Sequence, residues 1–111
     1  QSLPQRKTPM PRLDQLLELL QADPTDTFLQ YAVAMEHAKQ GDHEQALAAF
    51  NDLLARDPKY VAAYFMAGRT CEQKEDPEAA KAFYRRGIDT ANSIGDSHAA
   101  GEMSSALMML E

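Results

Sequence analysis

The chain has 111 residues, 44% hydrophobic and 25% charged, with a formal net charge of −6 and one cysteine. That is enough chain for one domain with its own core and too little for two. The lone Cys71 rules out an internal disulfide or a thiolate metal cluster, and no apolar run reaches the roughly 20 residues of a membrane span.

The acidic balance is stronger than the total shows. Arg6, Lys7 and Arg12 fall within the first 12 residues with no acid among them, leaving 8 basic against 17 acidic residues, net −9, over residues 13–111. A nucleic-acid partner would need a basic footprint that this balance does not supply. Ala is abundant and β-branched residues are sparse, which predicts an all-α fold. A single cysteine fits a reducing, cytoplasmic compartment, and residues 1–10 lack the apolar core of a signal peptide.

Residues 1–11 contain Pro4, Pro9 and Pro11 and little apolar content, which predicts an extended, flexible lead. A lead helix follows over residues 12–22. Leu13, Leu16, Leu17 and Leu20 form a single stripe at helical spacing. The segment ends at Asp23-Pro24, as a later one ends at Asp57-Pro58, so it reads as the second helix of a truncated unit, a lid on what comes next.

Those two Asp-Pro pairs are 34 residues apart, and in that register Gln30 falls on Tyr64, Ala34 on Gly68, His37 on Cys71, Ala46 on Ala80 and Phe50 on Tyr84. Two successive copies of one unit explain the register, one over residues 24–57 and one over 58–94. Each Asp-Pro pair predicts a helix start, with Asp as cap and Pro in the first turn. The first copy then holds a helix over 27–39 stopped by Gly41, and a second helix carrying Ala46, Leu47, Phe50, Leu53 and Leu54. Asp42 and Gln45 have the spacing of a capping box ahead of that second helix. The short link between the two helices forces an antiparallel hairpin.

In the second copy a helix from about 58 to 74 carries Tyr64, Ala67, Gly68 and Cys71. Asp76-Pro77 caps the next, with Ala80, Phe83, Tyr84, Gly87 and Ile88. Asn92 stands where the period calls for proline, so that helix runs on toward Gly95. A trailing helix over 96–110 carries Ala99, Met103, Ala106, Leu107 and Leu110, which makes six helices. Gly inside a helix costs about 1 kcal/mol relative to Ala, so Gly68 and Gly87 mark places where a methyl group would clash.

The unit resembles the tetratricopeptide repeat, whose pattern is W-x2-L-G-x2-Y, then A-x3-F, then P. Here the first copy reads Gln30-x2-Val33-Ala34-x2-His37, Ala46-x3-Phe50 and Pro58. The second reads Tyr64-x2-Ala67-Gly68-x2-Cys71 and Ala80-x3-Tyr84. Gln30, His37, Cys71 and Asn92 depart from it. The resemblance implies a right-handed α-solenoid of antiparallel helix hairpins. It also implies a non-catalytic protein-interaction module whose groove is lined by the first helix of each repeat. Carried onto this chain, the groove positions are Phe28, Tyr31, Met35 and Lys39 in the first repeat, and Ala62, Phe65, Arg69, Glu72 and Gln73 in the second.

Four of these (Phe28, Tyr31, Met35 and Phe65) are expected to project from a face that core packing does not need, as anchors for a protein or peptide partner. Some family members clamp a C-terminal carboxylate with Lys and Asn where this chain has Tyr31 and Met35, so that mode is not expected. The alternative is a homodimer through the same face or through Met103, Met108 and Met109. His37 falls on a core face, while His43 and His98 fall in exposed places. No pair has the i, i+4 spacing of a zinc site, and no nucleophile motif or triad is present. No cofactor, metal, catalytic residue, nucleic acid or membrane partner is therefore expected. Lys81, Arg85 and Arg86 form a basic strip that Glu78 and Asp89 are placed to neutralise in part.

Overall fold

The computed structural model describes residues 11–111. Among them are six α-helices and no strand: α1 (Arg12–Ala22), α2 (Thr27–Lys39), α3 (His43–Arg56), α4 (Val61–Gln73), α5 (Pro77–Ser93) and α6 (Ser97–Leu110). Apart from Pro11, the lead expected over residues 1–11 lies outside the described residues. Each helix packs on the next, and α2 meets α4 as α4 meets α6. The hairpins therefore stack into a solenoid with α2, α4 and α6 along one side.

The core follows the repeat register. Ala34, Ala46, Phe50, Leu53, Ala63, Ala67, Ala80, Tyr84, Ala91 and Met103 are completely buried. Small residues let the helices approach, and buried rings (Phe50 in the first repeat, Tyr64 and Tyr84 in the second) fill the space between them. A Cβ built on Gly68 would lie 2.7 Å from the ring carbons Cδ1 and Cζ of Tyr84. One on Gly87 would lie 2.7 Å from Cβ of Tyr64 and 2.9 Å from Cε of Met103. Both glycines stand where the pattern predicts a clash.

Polar groups in the core are mostly paired. Tyr64 donates its hydroxyl to the carbonyl of Pro58 at 2.8 Å, and Tyr84 donates to the carboxylate of Glu72. Gln30, which stands where the second repeat has Tyr64, leaves its Oε1 without a hydrogen-bond partner. So does the buried His37 at Nδ1. The first repeat thus carries polar substitutes at two aromatic places without the compensating bond that Tyr64 makes.

Two Asp-Pro pairs behave differently from expectation. Asp23 and Asp57 close α1 and α3 rather than opening the next helix. The carboxylate of Asp57 accepts from the Lys59 amide at 3.2 Å, within the turn. The true cap of α2 is Asp26, which accepts from the Leu29 amide at 3.1 Å. A residue before proline is held in extended geometry, so the dipeptide stops one helix and uses up a turn before the next. Asp76-Pro77 does start a helix: Asp76 accepts from the Ala79 amide at 3.2 Å and Pro77 takes the first turn. Asp42 precedes α3 but makes no side-chain cap bond, so the capping box does not form.

The turns after α2, α4 and α5 share one geometry. Gly41, Glu75 and Gly95 have φ of 84°, 65° and 79°. After each, an Asp amide donates back across the helix end: Asp42 to His37 at 2.9 Å, Asp76 to Cys71 at 2.9 Å, and Asp96 to Ala91 at 2.8 Å. Glycine suits the left-handed position and glutamate does not. Glu75→Gly is expected to stabilise the chain by about 0.5–1 kcal/mol, read as a higher Tm, because relief of the left-handed strain exceeds the extra chain entropy.

The leucine stripe of α1 is narrower than predicted. Leu16 is buried and Leu13 and Leu20 are half-buried, but Leu17 is 42% exposed. As the first described helix, α1 has only α2 to pack on.

Candidate interaction groove

The first helices of the two repeats, α2 and α4, line a cleft with two adjoining compartments. The larger, about 460 Å³, lies along α2 beside α1 and is walled by Phe28, Tyr31, Ala32, Met35 and Lys39, with Arg12 and Glu36 at its edge. The smaller, about 160 Å³, lies between α2 and α4 and is walled by Met35, Ala38 and Lys39 on one side and Met66, Arg69, Thr70 and Gln73 on the other. Met35 and Lys39 belong to both.

The predicted apolar anchors divide. Phe28 is 67% exposed and projects freely. Tyr31, Met35 and Phe65 are half-buried and pack on the core, which corrects the expectation that all four stand clear of it. Tyr31 lies edge-on to Phe50 at 6.2 Å between ring centroids and 5.2 Å from Tyr60, which comes from the turn before α4. Phe65 packs on Tyr84 at 6.1 Å, with the Arg69 guanidinium 5.9 Å from its ring centroid. Phe65 and the exposed Ala62 line neither compartment. Glu72 is held by the Tyr84 hydroxyl, so its carboxylate serves the fold.

Charge in the cleft is uneven. Arg12 reaches Glu36 at 3.5 Å, and Gln40 donates to the other oxygen of that carboxylate at 3.4 Å. Lys39 and Arg69 have no carboxylate partner among the described residues. The small compartment thus holds two unpaired cations and no acid. On the other side of the molecule Lys81 pairs with Glu78 at 3.0 Å and Arg85 with Glu111 at 2.7 Å. Arg86 lies 5.2 Å from the Tyr64 ring. The basic strip there is largely satisfied, with Glu111 taking the part expected of Asp89.

A family model for the tetratricopeptide repeat matches residues 31–96, more than half of the chain. The chain belongs to the tetratricopeptide repeat family. It is 35% identical to a tetratricopeptide repeat domain protein from Salinibacter ruber, whose solution structure superposes with a TM-score of 0.75 over 80% of this chain and 90% of that one. It is 25% identical over 99 residues to a TPR repeat-containing protein of Pseudomonas aeruginosa, covering 89% of this chain and 94% of that protein. Protein BPP2914 from Bordetella parapertussis shares the fold, with a TM-score of 0.82 at 22% identity over 92% of this chain and 89% of that one.

Tetratricopeptide repeat domains generally bind protein partners or act as scaffolds, and the family is generally non-catalytic. In this member no group of three His, Cys, Asp or Glu side chains able to hold a metal ion occurs among the described residues. Nor is any described helix long and apolar enough to cross a membrane. Cys71 is buried, and that burial pushes its thiol above the ordinary value.

Sequence reasoning missed Arg12, Ala32, Glu36, Ala38, Met66 and Thr70 as walls of the cleft. Ala38, Met66 and Thr70 become visible only once α2 and α4 are set side by side, and Arg12 only once α1 closes on α2. The one available signal for Arg12 was its place in the helix that caps the first repeat.

Three tyrosines around the cleft and core respond to alkali in the same direction. Burial first, and neighbouring tyrosine or carboxylate groups second, push Tyr31, Tyr60 and Tyr84 above the usual value of 10.0. The folded state favours the protonated phenol, so this stability is complete below pH 10 and is lost as pH rises beyond it. Denaturant unfolding at pH 9 and pH 11 should show a lower midpoint at pH 11, and Tyr84→Phe should reduce the drop.

Proposed function

We propose that this chain is a non-catalytic adaptor or scaffold module that receives a partner peptide or helix in the cleft along α2 and α4. The supporting observation is the continuity of the cleft: exposed Phe28, half-buried Tyr31 and Met35, and unpaired Lys39 and Arg69 line one path with Gln73. Ala62 and Phe65 stand beside this path as a rim. The net charge of −6 and the lone buried cysteine agree with a protein partner in a reducing, cytoplasmic setting.

The test uses Phe28→Glu with Lys39→Glu, because both side chains are exposed and the core is left intact. Tyr31→Glu and Phe65→Glu would bury a charge against the core and confuse unfolding with lost binding. Affinity capture from the native lysate should lose its specific partner by about tenfold or more with the double variant, as expected when an interface anchor is removed. It should keep that partner with Arg56→Glu on the opposite helix layer. Equal capture by all three proteins, with equal Tm, would show that the groove reading is wrong.

A second reading is homo-oligomerisation through the trailing helix, favoured by Met108 and Met109, which are 74% and 85% exposed at the end of the stack. It requires a doubled mass in light scattering that Met108→Glu with Met109→Glu returns to that of a monomer.

A further inference from the structure

We propose that copies of this chain stack head to tail, with α6 of one copy lying beside α1 of the next as the first helix of a hairpin lies beside its second. The proposal rests on the second reading above for its use of α6, and it is independent of the groove.

The two ends of the solenoid are open in complementary ways. With Asp23-Pro24 laid on Asp57-Pro58, α1 takes the register of a second helix: Leu16 falls on Phe50, Leu19 on Leu53 and Leu20 on Leu54. Leu53 is completely buried, yet Leu19 is 55% exposed. The second repeat shows what that place needs. There Gly87 holds it, and a Cβ built on Gly87 would touch Tyr64 of α4 on one side and Met103 of α6 on the other. The position is therefore covered by the first helix of its own hairpin and by the first helix that follows. Leu19 has the following helix, α2, but among the described residues no helix stands in the place of its own first helix. At the other end the lack is reversed. Helix α6 meets α4 as α4 meets α2, so it belongs to the row of first helices, and no second helix follows it among the described residues.

A solenoid that ends in water needs polar outer faces on its terminal units. Here Leu19 is exposed at one end and Met108 and Met109 at the other. One end offers a second helix without a first, and the other a first without a second. Contact between unlike ends is heterologous and adds copy upon copy.

Charge selects this arrangement over a symmetric one. Residues 97–111 contain Glu102 and Glu111 and no Lys or Arg, so α6 against α6 would bring like charges together. Residues 1–12 carry Arg6, Lys7 and Arg12 and no acid. Hairpin helices are antiparallel, so stacking delivers the end of α6 to the basic start of α1 in the next copy. Glu111 lies at that end and keeps about half of its side chain exposed while paired with Arg85. Leu17 marks the opposite side of α1. It falls on Asn51 and Arg85, both exposed within the stack, so it points away from the contact.

Light scattering on the full chain from about 10 μM to about 1 mM should give an average mass that rises past twice the monomer. Leu19→Glu should stay monomeric, as should Met108→Glu with Met109→Glu, because each blocks one end. Mixed in equal amounts, the two variants should pair into a complex of two copies and grow no further, since one free end of each kind remains. Leu17→Glu should assemble as the parent does. All four side chains are exposed, and an equal Tm at the lowest concentration verifies that the fold is intact.

A mass that stops at two, lost with the methionine changes but kept with Leu19→Glu, would overturn this inference and leave the second reading standing. A parent chain that stays monomeric throughout would overturn both. Equal loss of assembly with Leu17→Glu and Leu19→Glu would place the contact outside the repeat register and overturn the inference as well.

Discussion

Truncating Phe50 to Ala is expected to lower the unfolding free energy by about 3–5 kcal/mol, the range for deleting a buried aromatic ring. Phe50 is completely buried on α3 and is the one large ring filling the first repeat's interior. Its neighbours are helices held by backbone hydrogen bonds, so the space it leaves cannot close. Small domains are stable by only about 5–15 kcal/mol, so the loss is a large share of the total. Urea denaturation should show the midpoint falling with little change in slope. Because Tyr31 rests edge-on against Phe50, the same change should loosen the wall of the groove. Peptide affinity should then fall even under conditions where the variant is still folded. Phe83→Ala, at a half-buried position, should cost clearly less.

Gly68→Ala is the second large effect, and its sign distinguishes local from tertiary control. Intrinsic propensity favours Ala over Gly inside a helix by about 1 kcal/mol. Against this, the added methyl would overlap the ring of Tyr84, which is itself completely buried and has nowhere to move. Overpacking of this kind costs about 1–3 kcal/mol and occasionally more, so the variant should be less stable by about 2 kcal/mol. Gly101→Ala provides the contrast. It lies exposed on α6 with nothing within 4 Å of a built Cβ, and should be more stable by about 1 kcal/mol. Combining Gly68→Ala with Tyr84→Leu should recover part of the loss, since the smaller side chain vacates the overlapped space. If Gly68→Ala proved as stable as the parent, the close approach of α4 and α5 would be disproved.

Much of the architecture was legible because it is local. A helix needs only its own periodicity, and the repeat of that periodicity every 34 residues, with Ala and Gly at the crossings, predicts hairpins that stack. The clash positions Gly68 and Gly87 were readable for the same reason: a residue that costs helix stability marks a contact. The caps were less so. Asp23, Asp26, Asp57 and Asp76 are the same residue near helix ends, and only the path of the backbone decides which carboxylate meets a free amide. Asp26 carried no distinguishing mark beyond its position before the first apolar turn.

The groove divides along the same line. Phe28 and Lys39 could be placed on the outward side of α2 by counting positions, because a helix presents its faces in fixed order. Counting could not show that Tyr31 would be covered by Tyr60, which arrives from a turn 29 positions away, or that Phe65 would lean onto Tyr84. By itself the sequence determined the helices, their pairing and the family, since these follow from spacing within one unit. Tertiary structure alone decided which apolar side chains remain free and that Lys39 and Arg69 face one compartment without an acid. Those outcomes depend on how successive hairpins lie against each other, a relation set by contacts between residues that no local pattern connects.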